Sequence, residues 1–326
     1  MAARRGYLCS GAALVWPLAA RAQQPAMPVV GYLNSRGPDD AAHLAASFRR
    51  GLRDSGFIVG QNVRIEYRWG RGHFDSLKAM AEELCRVPVA VLIATGGEPT
   101  VLAAKSATST IPIVFAMSSD PIKLGLAVSF NRPGGNATGM NVLTTALEPK
   151  RLGLLHDLVP TTGTIGVLVN PSFSPSASQI RDVEEAAPAI NVRVHVLRAN
   201  TESEIDSAFE TIAAERIGAL AVAGSPFFDT RRNRIVALAA QRRVPTMYQF
   251  REYTVAGGLI SYGVDIIDVH RQVGLYAGQV LKGAKPGDLP IMLPTKFELV
   301  INLKTAKTLG IKISDNLLTL ADEVIE

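Results

Sequence analysis

Apolar and polar positions alternate along this chain in two registers. Short apolar runs rich in β-branched residues are each followed by a stretch with helical spacing. MPVVGYLN (27–34) reads as a buried strand and Asp39 to Ser55 as a helix. NVRIEYRW (62–69) alternates as a strand, and Phe74 to Cys85 is helical. VAVLIAT (89–95) and IPIVFAM (111–117) are strands, with helices predicted over Glu98–Ser106 and Pro121–Phe130. NRPGGNATG (131–139) is then a dense Gly/Pro/Asn loop. The alternation resumes with helices over Glu148–Leu158, Ser176–Ala187, Glu202–Arg216, Thr230–Arg242 and Ile266–Leu281. Between them lie the strands TIGVLVN (164–170), VRVHVLRA (192–199), ALAVAG (219–224), VPTMYQF (244–250) and GLISYG (258–263). PIMLPTKFELVINL (290–303) and KTAKTLG (304–310) close the series. Strands alternating with helices of 10–15 residues predict an α/β fold with parallel sheets flanked by helices.

The two halves resemble each other. GYLNS (31–35) parallels GVLVNPS (166–172), and NVRIEY (62–67) parallels NVRVHV (191–196). IATGGEPT (93–100) parallels AVAGSPFFDT (221–230), and Ile111-Pro112 parallels Val244-Pro245. Four anchors in one order point to an internal duplication, hence to two like lobes.

In open parallel sheets ligands sit beyond the carboxyl ends of the strands. The residues there are Asn34, Ser35 and Arg36; Thr95, Gly96 and Gly97; Ser118, Ser119 and Asp120; Asn170; Ser225; and Tyr248 with Gln249. Thr95-Gly96-Gly97 lets the backbone approach an anionic oxygen at a helix start, or is an ordinary helix cap. Asp120 caps a helix begun by Pro121, or pairs with a ligand ammonium. Tyr248 stacks on a ligand, or is a core aromatic. Small hydroxyl and amide groups of this kind suit binding without bond making.

Catalytic patterns are missing. There is no GxGxxG, GxxxxGK[ST], GxSxG or HExxH. His43, His73, His156, His195 and His270 do not pair at metal-ligand spacing and read as surface or packing residues. No catalytic residue, metal or cofactor is expected. Arg49–Arg50 and Arg231–Arg232 read as solvated helix faces, and Cys85 as a small core residue.

Residues 1–22 change the picture of charge and address. Arg4 and Arg5 precede the apolar stretch Tyr7–Ala20, and Ala20-Arg21-Ala22 is an A-x-A cleavage pattern. That is a secretory signal peptide cleaved after Ala22. Its apolar run is shorter than the ~20 residues a bilayer span needs. The Arg pair also resembles a twin-arginine signal, so the export route stays open. The chain of 326 residues is 47% apolar and 19% charged, enough for two packed domains. Its 34 basic residues include Arg4, Arg5 and Arg21, leaving 31 against 29 acids once the peptide is removed. A near-neutral mature chain offers no phosphate-binding surface, so no nucleic-acid partner is expected.

The blocks PVVGYLNS, IPIVFAMSSDPIKLGL, NRPGGNATGMN, the LVP-to-VLVNPS stretch and VPTMYQFREYTVAGGLISYG carry a resemblance. Over about residues 27 to 315 the chain resembles the bacterial ABC-transporter substrate-binding proteins that include tryptophan/tyrosine-type amino-acid receptors. The resemblance implies a type I periplasmic-binding-protein fold: two Rossmann-like lobes joined by hinge crossings, with ligand in the cleft between them. It implies a first lobe of 27–141 plus about 266–293 and a second of 142–265 plus about 294–326. The crossings fall near Thr138–Leu143, Ser261–Asp265 and Pro294–Leu299. The ligand-facing set it implies is Ser35, Thr95, Gly96, Ser118, Asp120, Asn170, Ser225 and Tyr248. Asn34, Gly97, Ser119 and Asp265, beside these positions, complete the candidates. Two loops depart from the family pattern: Ser172-Phe173-Ser174-Pro175 lacks a second Asn, and Ser119 stands where a Gly is common. The expected function is capture of a small organic ligand, an amino acid (aromatic ones included) or a related carboxylate. The implied partners are an inner-membrane ABC permease and its ATPase, and the implied state is a periplasmic monomer. A sensory receptor feeding a membrane kinase and an exported α/β enzyme are the alternatives.

Overall fold

The computed structural model describes residues 27–142 and 144–326. The expected signal peptide, and Leu143 in one expected crossing, lie outside them. Strands β1 (Val29–Asn34), β2 (Arg64–Trp69), β3 (Val89–Thr95), β4 (Ile113–Met117) and β5 (Ala137–Asn141) form one sheet, in the order β2-β1-β3-β4-β5. All its pairings are parallel. Helices α1 (Ala42–Asp54), α2 (Leu77–Arg86) and α3 (Glu98–Ala107) connect it.

The second sheet comprises β6 (Thr164–Val169), β7 (Arg193–Arg198), β8 (Ala219–Val222), β9 (Thr246–Tyr248), β10 (Ile260–Val264), β11 (Phe297–Asn302) and β12 (Glu323–Ile325). Its order is β12-β11-β10-β9-β8-β6-β7, with β10 and β11 antiparallel. The helices that follow along the chain are α4 (Glu148–Leu158), α5 (Ser176–Ala186), α6 (Glu202–Ala214), α7 (Pro226–Thr230), α8 (Arg232–Arg242), α9 (Arg251–Val255), α10 (Ile266–Leu281), α11 (Leu303–Leu309) and α12 (Asp315–Leu320). β1 to β5 and β6 to β10 repeat one strand order, and the four sequence anchors fall on equivalent strands.

The apolar strands are unbroken because both sheet faces are covered. In β3, Val91 and Ile93 join a cluster with Val30, Tyr32 and Phe48, while Leu92 and Ala94 join Leu33, Leu84 and Phe115 on the other face. That is the two-residue side-chain period of a strand. α10 follows β10 but packs against α1, β3, β4 and β5 of the first sheet. α1 and α10 approach through glycine. A Cβ on Gly51 would lie 2.0 Å from the Arg271 carbonyl oxygen, and one on Gly274 would lie 2.2 Å from that of Phe48.

Four local expectations differ from the structure. Residues 121–130 form turns and bends instead of a helix: Asp120 caps the turn, and Gly125 at φ +65° breaks any continuation. The NRPGGNATG loop ends inside β5, whose Gly139 adopts φ +149° with its α-carbon against the Phe115 backbone. The helix expected from Thr230 is two helices, α7 and α8, meeting at Arg231. Arg231 and Arg232 are not a solvated face. An Arg231 nitrogen donates to the Gly72 carbonyl at 3.2 Å, and Arg232 pairs with Asp40. Among the described residues no helix is long and apolar enough to cross a membrane.

Candidate ligand-binding site

The strand ends of the two sheets meet across a cleft. A small cavity there is lined from the first-sheet side by Arg36, Gly96, Gly97, Met117, Ser118 and His270. From the second-sheet side it is lined by Ser225, Pro226, Asp229, Gln249 and Phe250. Its volume is about 50 Å³. An apolar cavity of ~150 Å³ holds benzene, so this one has room for several waters or a small polar head group. An aromatic side chain needs a wider separation of the lobes or movement of Met117 or Phe250.

Each lobe holds its strand ends with the same device. Asn34 donates to the Thr95 hydroxyl at 2.9 Å and accepts from the Arg36 N–H at 2.8 Å. Asn170 donates to the Ser225 hydroxyl at 3.1 Å and accepts from the Ser172 N–H at 3.0 Å. Ser35 donates to the Gly96 carbonyl at 2.7 Å. A buried pair supports the second lobe's loop: Glu148 accepts from the Gly224 N–H at 2.9 Å and from Arg151 at 3.1 Å. Arg151 donates in turn to the Tyr262 carbonyl at 2.7 Å.

At Gly97 the lobes touch. Its backbone sits at φ +99°, ψ −177°, capping α3, and a Cβ there would lie 2.3 Å from Pro226 Cγ. That backbone region is open in practice to glycine alone. At the start of α3, Thr100 and Val101 donate to the Gly97 carbonyl and Pro99 has no N–H, so the Gly97 and Glu98 N–H groups are the ones that can receive an anionic oxygen.

Charge crosses the cleft beside the cavity. Arg36 forms a two-pronged contact with Glu252, at 2.8 and 2.9 Å, and lies 3.7 Å from Asp229. His43 adds a contact to Glu252 at 2.5 Å. Burial alone would push Glu252 up, but Arg36 and His43 hold it well below the usual carboxylate range. Asp229 receives the weaker share of Arg36. Burial pushes it up to about 6, although Arg36, Gln249 at 2.6 Å and Tyr253 at 3.1 Å oppose the rise. His270 is 3% exposed, and burial brings it down to about 4. Its Nδ1 lies 2.9 Å from the Ile266 carbonyl oxygen, and its Nε2 has no partner.

Of the twelve candidates from the sequence, Gly96, Gly97, Ser118 and Ser225 line the cavity. Asn34, Ser35 and Thr95 lie behind it, joining strand ends. Asn170 borders an outer groove of about 420 Å³ with Glu98, Phe173 and Phe227. Ser119 hydrogen-bonds Glu98, and Asp265 caps α10 by accepting from the Asp268 N–H at 2.9 Å. Asp120 accepts from the Ile122 and Lys123 N–H groups at 2.8 and 3.3 Å and does not line the cavity. These contacts are those of the cap role. Tyr248 is buried and stacks on Tyr253 with centroids 4.8 Å apart, again away from the cavity. Arg36 and Gln249 stood at strand ends in the sequence, but the candidate set omits them. Asp229 and His270 come from helices α7 and α10, where the strand-end rule does not look. The one sequence signal for Asp229 is a carboxylate inside the apolar run SPFFDT. Among the described residues no group of three or more His, Cys, Asp or Glu is placed to hold a metal ion.

Known proteins share this architecture. The sequence profile of the family described as ABC transporter substrate binding protein matches residues 39–325. A tyrosine-binding protein of Clostridioides difficile is 26% identical over 265 residues, covering 81% of this chain and 76% of the relative. An ABC domain from Streptococcus pneumoniae solved in complex with L-Trp is 25% identical, with a TM-score of 0.82, covering 91% of this chain and 99% of that one. A conserved domain protein from Vibrio cholerae is also 25% identical, with a TM-score of 0.83 and the same coverage. Two parallel-dominated sheets with a cleft between their strand ends are the type I periplasmic-binding-protein arrangement. The chain belongs to the ABC transporter substrate-binding proteins, which capture a small ligand for an ABC transporter.

Proposed function

We propose that the ligand is an α-amino acid, held with its ammonium at Asp229 and its carboxylate at the Gly96–Gly97 start of α3. One observation carries this reading: Asp229 is a buried carboxylate on the cavity wall whose cation, Arg36 at 3.7 Å, is shared with Glu252. Arg36 is the buried guanidinium between two carboxylates, and Glu252 takes its close contacts. A buried carboxylate in this position is costly unless a cation joins it. A ligand ammonium supplies that cation. The glycine N–H groups on the facing lobe suit the opposite end of the same small molecule. The relatives whose names or structures carry tyrosine and L-Trp support an amino acid as the class.

Capture follows from two bodies moving about the crossings: 27–141 with 266–293, and 142–265 with 294–326. The ion pairs of Arg36 with Glu252 and of Asp40 with Arg232 join these bodies only when closed. Buried pairs of this kind roughly offset their own desolvation. The empty protein is then free to open, and closure is tipped by the ligand's contacts to both lobes. The closed form is what an inner-membrane permease with its ATPase would receive, in the periplasm and as a monomer. No bond is made or broken, and no cofactor is involved.

The test is a thermal-shift panel of the L-amino acids on the purified protein and on Asp229→Asn. A stabilised wild type and a flat Asp229→Asn support the assignment. A ligand at 100 times its dissociation constant stabilises by about 2.7 kcal/mol, which the assay detects. An amino acid that stabilises both proteins equally removes Asp229 from the site.

A further inference from the structure

A buried polar atom beside a cavity is costly unless the protein, water or a ligand meets it. His270 lines the cavity, and its buried Nε2 has no hydrogen-bond partner in the protein. Its protonation is fixed by its neighbour. Nδ1 lies 2.9 Å from the Ile266 carbonyl oxygen, which can only accept, so Nδ1 carries the hydrogen. Arg36 and burial both disfavour a second proton. In the neutral ring Nε2 is therefore an acceptor. The cavity wall thus carries an acceptor that calls for a donor, and Asp229 lines the same cavity.

An ammonium group has three N–H donors and accepts nothing. At Asp229, Oδ1 already accepts from Gln249 and Tyr253, while Oδ2 lies 3.7 Å from Arg36, beyond hydrogen-bond range, and can still accept from a ligand. One carboxylate oxygen satisfies one of the three donors, and the remainder need acceptors inside the cavity. We infer that His270 Nε2 is the first lobe's acceptor for the ligand ammonium, so that one cationic head is shared by Asp229 and His270 across the cleft. This rests on the amino-acid reading above and extends it. The cavity is small enough that a group at Asp229 Oδ2 also reaches the α10 wall. Because Asp229 belongs to α7 and His270 to α10, the shared head draws the two lobes together. His270 is then a positioning residue for closure as well as a ligand contact. The site favours a primary ammonium over an N-methylated or quaternary one, since each methyl removes a donor.

The experiment is calorimetric titration of wild type, His270→Leu, His270→Gln and Asp229→Asn with L-threonine, L-valine, L-tyrosine and L-phenylalanine. Each binding amino acid is repeated as its N,N-dimethyl derivative. His270→Leu should weaken every amino acid that wild type binds, by about 10- to 100-fold, the range for a hydrogen bond to a charged group. His270→Gln, whose amide oxygen is again an acceptor, should recover most of that loss, which a packing defect would not allow. The dimethyl derivatives should bind less well to wild type, with the gap narrowed in His270→Leu. Equal losses in the Leu and Gln variants would assign His270 to packing and overturn the inference. A loss confined to threonine and tyrosine would place Nε2 on a side-chain hydroxyl, which also overturns it. Unchanged binding by His270→Leu beside lost binding by Asp229→Asn would remove His270 and leave the amino-acid reading standing. Binding retained in Asp229→Asn would instead strike at that reading itself.

Discussion

Gly97→Ala separates folding from closure at a single atom. Two costs are built into it. The first is conformational: φ +99°, ψ −177° is open in practice to glycine alone, and an L side chain there costs about 1–3 kcal/mol. The second arises only when the lobes are shut, because the new Cβ would lie 2.3 Å from Pro226 Cγ and 2.9 Å from Pro226 Cβ. Carbon atoms pack at about 3.5–4.0 Å, so the lobes must part by about an ångström at this point. The bonds of Arg36 to Glu252, now 2.8 and 2.9 Å, would stretch beyond hydrogen-bond range. Denaturant unfolding should therefore show the conformational cost. Calorimetry with the best amino acid of the thermal-shift panel should show an affinity loss of about tenfold or more, since one factor of ten is only about 1.4 kcal/mol. Adding Pro226→Gly removes the ring that the methyl strikes. The double variant should regain most of the affinity while keeping the backbone cost. If the double variant binds as poorly as Gly97→Ala, the Pro226 contact is not what limits closure, and this account of the cleft is wrong.

The remaining predictions are shorter. Burial raises Asp229, so its ionisation lowers the stability of the empty protein as pH climbs from its unfolded value of 3.8 through about 6. Asp229→Asn should accordingly raise the thermal midpoint of the empty protein at pH 7 while abolishing ligand binding; an unchanged or lower midpoint would count against a desolvated carboxylate. Ammonium binding requires ionised Asp229, so affinity measured between pH 4.5 and 8 should rise with pH and level off above about 6. Gly274→Ala places a Cβ 2.2 Å from the Phe48 carbonyl in the α1–α10 contact and should destabilise by about 1–3 kcal/mol or more by denaturant unfolding.

The sequence carries the fold through its apolar strands. β1, β3, β4 and β6 are covered on both faces, so they read as unbroken runs. β5 did not, because ATGMN is short, includes a glycine and follows a loop-like string; what makes it a strand is parallel pairing with β4. The segment after Asp120 has helix-start chemistry, yet the chain there makes only turns. Of the residues lining the cavity, the strand-end rule picked out Gly96, Gly97, Ser118 and Ser225. It also brought in Asn34, Thr95 and Asn170, whose polar groups are spent holding neighbouring strands together. The charged groups were out of reach for a different reason. Arg36 and Glu252 are 216 residues apart, and Asp229 and His270 sit on separate helices. Nothing local marks them as partners, because they meet only in the folded chain, across the cleft.

The most direct test of the central claim compares matched ligands that differ only in the amine. Calorimetry should be run with L-alanine against propanoate, and with L-tyrosine against 3-(4-hydroxyphenyl)propanoate. The account predicts that an amino acid binds while its deaminated partner is weaker by about tenfold or more, the value of a hydrogen-bonded charge at a buried carboxylate. Equal or tighter binding of the deaminated acid would contradict it, because a second anion beside Asp229 should be rejected.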